Sequence, residues 1–150
     1  MAQPETFTVA VFQDLAWARR GLEALTAEGF APSSISILAK ETDEVRSLCA
    51  EATGGDPRRL EVRSLGPVLA GGALVDRLQG ADRALESRGV GATMNRAGFQ
   101  RHDGHIYETL VGRGGVLVAV RGDARSADAL AKMLSFGGGN AAIGAWSGRV

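Results

Sequence analysis

A chain of 150 residues with 45% hydrophobic and 23% charged side chains has the composition of one ordinary folded domain, globular rather than disordered. Its 17 basic and 17 acidic residues cancel, so no electrostatic drive toward nucleic acid or anionic lipid is expected. A lone cysteine, Cys49, rules out an intramolecular disulfide.

Met1-Ala-Gln-Pro-Glu-Thr6 lacks the basic start and apolar run of a signal peptide. The longest nearly apolar stretch, Leu65–Val75, is too short to span a bilayer. The expectation is a cytoplasmic protein with no integral membrane segment. Phe7-Thr-Val-Ala-Val-Phe12 is β-branched and aromatic and reads as a strand. Asp14 caps a helix in which Leu15, Ala18, Leu22 and Leu25 recur at helical spacing, and Gly29 closes it. Pro32-Ser-Ser turns the chain into a second strand, Ile35-Ser-Ile-Leu-Ala39. Residues 6–40 are thus a β-α-β unit.

Residues 41–98 read as a Gly/Ala-rich helical connection. Thr42 caps a short helix with Val45, Leu48, Cys49 and Ala52 on its apolar side, and Thr53-Gly-Gly-Asp-Pro57 is a turn. From Leu65 to Arg96 one or two small helices are expected, with Pro67 as a helix start and Gly66 just outside it. Residues 99–146 read as a helix plus a second β-α-β unit. Ile106, Tyr107, Leu110 and Val111 mark the helix, and Gly112-Arg-Gly-Gly115 is a tight turn into the apolar strand Val116-Leu-Val-Ala-Val120. Ser126 caps a helix with the stripe Ala127, Leu130, Ala131 and Leu134. Gly137-Gly-Gly139, with Asn140 after it, ends that helix, and Ala141–Trp146 is a weak last strand. Two matching units in residues 1–150 predict a ferredoxin-like α/β (α+β) domain: four antiparallel strands with helices on one face. A parallel three-layer sheet is the alternative.

Three sets of segments resemble the bacterial general-stress-protein 17M-like family, which includes heat-induced stress proteins of the YflT type. They are Val9–Phe12 with Gly29-Phe30-Ala-Pro-Ser-Ser-Ile35-Ser-Ile-Leu38; Tyr107-Glu108 with Gly114-Gly-Val-Leu-Val-Ala-Val-Arg121; and the small-residue run Gly66–Leu74. The resemblance implies a stress-linked accessory role in a bacterial cytoplasm and no established chemistry. Where many members carry a longer apolar Gly-rich insert, this chain has Asp76, Arg77, Asp82, Arg83, Glu86 and Arg88.

No residue set has catalytic spacing, and no cofactor motif is present: the P-loop and dinucleotide patterns are absent. His102 and His105, with Asp103 and Glu108 nearby, form a weak metal-binding candidate in a helix that Gly104 weakens. Cys49 lies on an apolar stripe, where cysteine behaves as a small hydrophobe. Tyr107 reads as core with its hydroxyl at the rim. Trp17, off the apolar stripe of its helix, and Trp146, on an edge strand, are candidate partner-binding residues; so is the small-residue patch Ala70-Gly-Gly-Ala73. The leading expectation is therefore a non-enzymatic protein that works by self-association as a homo-oligomer, or as a subunit with a protein partner. The alternative is an anion-sensing domain using Arg113, Arg121 and Arg125, which flank the strand at 116–120. An enzyme using His102, His105 or Cys49 comes last.

Overall fold

Among the described residues, six short apolar or alternating segments pair into one sheet, and seven α-helices cover its two faces. The computed structural model describes residues 6–99, 101–122, 125–135 and 146–149. The order along the chain is β1 (Thr6–Phe12), α1 (Leu15–Ala27), β2 (Ile35–Lys40), α2 (Asp43–Thr53), β3 (Arg58–Val62), β4 (Gly66–Gly71), α3 (Ala73–Gln79), α4 (Ala84–Arg88), α5 (Val90–Ala97), α6 (Arg101–Gly112), β5 (Val116–Arg121), α7 (Ser126–Ser135) and β6 (Trp146–Arg149). The strands lie in the order β3-β4-β2-β5-β1-β6, and every pairing is antiparallel. The fold is therefore α+β. Four strands were expected; the β3-β4 hairpin extends the sheet beside β2.

Helices cover both faces, not one. On one face Phe12, Ile37, Leu69 and Val118 meet α1, α2 and α7 through Leu22, Leu25, Leu48 and Met133. On the other, Phe7, Val9, Leu38, Val68 and Leu117 meet α3 to α6 through Leu74, Leu85, Met94 and Tyr107. With both faces covered, central strands carry apolar residues at consecutive positions, as in Val68-Leu-Ala70 and Val116–Val120. The three layers of the alternative reading are present, but the sheet is antiparallel.

The connection at 65–96 departs most from expectation. Gly66–Gly71 is a strand, not a helix, so Pro67 does not start one and Gly66 is not its cap. Pro67 is tolerated because its nitrogen faces the β2 side beyond Lys40, where its carbonyl accepts the Glu41 N–H at 3.2 Å. Small helices begin only at Ala73. Gly104 does not interrupt α6: a Cβ there would stand 2.9 Å from the Gly91 carbonyl oxygen, so glycine lets α5 and α6 cross closely. Helix α7 buries Ala129 and Met133, whereas Ala127 and Ala131 are exposed and Leu134 is 46% exposed. Its sequence is apolar on most sides, so two stripes were available, and packing on β1 and α1 selects the one through Met133. The last strand runs Trp146–Arg149; residues 141–145 and the glycine break at 137–139 lie outside the described residues.

Candidate functional site

Sheet edges have unpaired backbone groups, so the two edge strands are the first places to look for an interacting surface. At β3 the direction of those groups follows from its neighbour. Pro67 turns its carbonyl toward β2, so residues 66, 68 and 70 of β4 face β3 and bond its residues 62, 60 and 58. Residues 59, 61 and 63 therefore point their backbone groups outward. Helix α4 meets two of them. The Glu61 N–H donates to Glu86 Oε1 at 3.2 Å, and the Arg63 N–H donates to the Glu86 carbonyl at 3.0 Å.

Glu86 is held from three other directions. Arg83 Nε donates to its Oε2 at 2.7 Å, Gln79 Nε2 donates to the same oxygen at 3.1 Å, and the Glu86 N–H donates to Gln79 Oε1 at 3.3 Å. The Arg83 guanidinium holds the Glu86 carboxyl below the usual carboxylate range, with burial opposing it. One edge of the sheet is thus closed by a side chain and a backbone carbonyl of a helix more than twenty residues downstream. The other edge is β6, bonded to β1 through Thr6↔Arg149 to Val9↔Trp146, with no further strand among the described residues.

The predicted site residues scatter. Trp146 opens the edge strand β6. Trp17 is half-buried against the α1/α2/α7 core, with Arg20 5.3 Å from its ring centre. Ala70 is fully buried in β4, out of reach of a partner, while Gly71, Gly72 and Ala73 are half-buried. Gly72 serves an internal approach: a Cβ there would press on Ser36 Oγ and stand 2.6 Å from the Ile35 carbonyl oxygen, whereas a Cβ on Gly71 would meet nothing within 4 Å. Tyr107 is fully buried, not at a rim.

The three arginines do not converge. Arg113 precedes β5, and Arg121 ends it. A six-residue strand separates the two by more than ~15 Å. Arg121 and Arg125 do share a cavity of about 210 Å³ with Phe30 and Ser126. There the Arg125 guanidinium sits 4.3 Å from the Phe30 ring centre and donates to the Glu28 carbonyl at 2.6 Å.

His105 is exposed on α6; His102 lies on the same helix, its side chain outside the described residues. Among the described residues no three His, Cys, Asp or Glu side chains are grouped to hold a metal ion. Glu108 is engaged structurally, its Oε2 accepting the Gly91 N–H at 2.8 Å and its Oε1 the Ser64 hydroxyl at 3.2 Å. Cys49 is 1% exposed, and burial pushes its thiol up to about 11, with Arg46 drawing the other way. A buried neutral thiol is a poor nucleophile. Among the described residues, no helix is long and apolar enough to cross a membrane.

Sequence reasoning missed Glu86 and α4 as the closure of an edge, because β3 itself, Arg58-Arg-Leu-Glu-Val62, has only two apolar residues to announce a strand. The alternation of Leu60 and Val62 was the available signal. No family model, no curated protein and no solved structure matches this chain.

Proposed function

We propose that this chain is a non-enzymatic accessory protein of the general-stress type, working in the cytoplasm by self-association or as a subunit of a larger assembly. The inequality of the two sheet edges carries the reading. At β3 the outward N–H groups of Glu61 and Arg63 already have partners on α4. Strand β6 borders β1 alone among the described residues, so strand pairing with another chain has an edge to use there. The run β6-β1-β5-β2 supports the ferredoxin-like interpretation, since β1-α1-β2 and β5-α7-β6 each hold two parallel strands with one strand of the other half between them. The resemblance of Val9–Phe12, Gly29–Leu38 and Gly114–Arg121 to the 17M-like stress proteins supports the accessory role.

The test is the native mass of the purified protein. A defined oligomer that Trp146→Asp reduces to a folded monomer is the expected result. A wild-type monomer without partner, or an oligomer untouched by the substitution, would remove β6 from the account.

The cavity shared by Arg121 and Arg125 favours a second reading, an anion-sensing domain. Inorganic phosphate should then raise the melting temperature of the wild type and not that of Arg121→Ala. An unchanged melting temperature in wild type at tens of millimolar phosphate sinks it.

A further inference from the structure

The β3 edge has a sequence that complements itself. Two β3 strands placed antiparallel about a two-fold axis through Leu60 put Arg59 of one opposite Glu61 of the other, twice. Residues 59 and 61 are the ones whose backbone groups face outward, so this register also matches donors to acceptors across the new seam. Both side chains are exposed, and within one chain they already form an ion pair at 2.8 Å. What prevents the pairing is α4. Its five residues sit between Gly80 and Gly89, both at positive φ (57° and 87°), with Arg83 at φ 53° just before the helix. Glu86 is its clasp on β3; Ala84 and Leu85 are its anchors in the core.

We propose that β3 is a second, guarded association surface, that its partner is the β3 edge of another copy of this chain, and that α4 is the guard. Because opening the guard uncovers Ala84 and Leu85, the intact protein keeps this edge closed, and association through it follows only when the clasp is loosened. The inference rests on the reading of the protein as one that works by association, but it fails separately from that reading.

The experiment is done in the Trp146→Asp background, so that β6 does not contribute to the mass. Glu86→Ala should leave the circular dichroism spectrum folded, speed amide exchange at Glu61 and Arg63, and double the mass in sedimentation. Adding Arg59→Glu, which sets Glu against Glu61 across the axis, should return the protein to monomer. Adding Glu61→Arg to that variant should restore the dimer. A folded Glu86→Ala protein with exposed amides that stays monomeric overturns the proposal, as does a dimer indifferent to Arg59→Glu. If Glu86→Ala does not fold, Glu86→Gln, which keeps the volume and drops the charge that Arg83 holds, is measured the same way under the same criteria. Loss of wild-type oligomer on Trp146→Asp bears only on β6.

Discussion

The helices on the two faces of the sheet begin in different ways. On the α1/α2/α7 face the caps of α1 and α2 are local. The Trp17 N–H donates to Asp14 Oδ1 at 2.9 Å, and the Val45 N–H donates to Thr42 Oγ1 at 3.0 Å, each three residues on. On the opposite face the first turns of α3, α4 and α5 are satisfied from a distance. The Leu74 N–H at the start of α3 donates to the buried Ser36 Oγ of β2 at 3.0 Å, and the Gly91 N–H of α5 donates to Glu108 of α6. Thr93 turns back to the Ala84 and Gly89 carbonyls, tying α5 to α4. Helices α1 and α2 thus specify their own starts, whereas α3, α4 and α5, of seven, five and eight residues, are short segments that the rest of the fold specifies. A short helix needs such help, because its nucleation cost is spread over few hydrogen bonds.

That contrast is most directly broken at Gly72, where α3 meets β2. With φ at 107° and no room for a Cβ beside Ser36, Gly72→Ala should cost ~3 kcal/mol or more, read as a shift in the urea midpoint. Next comes Cys49 in alkaline solution. The unfolded thiol loses its proton near 9.0 and the folded one only at about 11, so the unfolded state is favoured progressively between the two. Stability should fall by about 2 kcal/mol as pH rises through that window, and Cys49→Ala should lack that component of the slope. Removing the local cap with Asp14→Ala should cost about 1 kcal/mol and leave the opposite face protected in amide exchange. Smallest is the ion pair between α1 and α2, Arg19 to Glu51 at 2.8 Å with side chains 38% and 62% exposed; Arg19→Ala should change stability by less than about 0.5 kcal/mol.

The same contrast explains what could be read from residues alone. Strands β1, β2 and β5 are β-branched runs between turn residues, and α1 and α2 carry caps and a periodic stripe, so their positions were legible. Strand β4 was not: Gly, Pro and Ala in Gly66–Gly71 are poor strand formers, and only their place between β2 and β3 makes them a strand. Nothing near Ala73 announces that Ser36 will cap it. The candidate site suffered likewise. Arg113, Arg121 and Arg125 are close in sequence, but an extended strand lies between the first and the others, whereas Glu86 meets β3 across twenty-five residues.

The placement of β1 between β5 and β6 has a consequence for how the protein is made. Phe7 pairs with Arg121 and Thr6 with Arg149, so β1, once synthesised, waits for on the order of a hundred residues before either neighbour exists. Throughout that interval the nascent chain displays Phe7-Thr-Val-Ala-Val-Phe12 with both of its hydrogen-bonding edges open, a segment with the composition of an aggregation nucleus. Completion of the sheet therefore follows the synthesis of β5 and β6, and a pause in translation before Val116 leaves β1 without either of its strand neighbours.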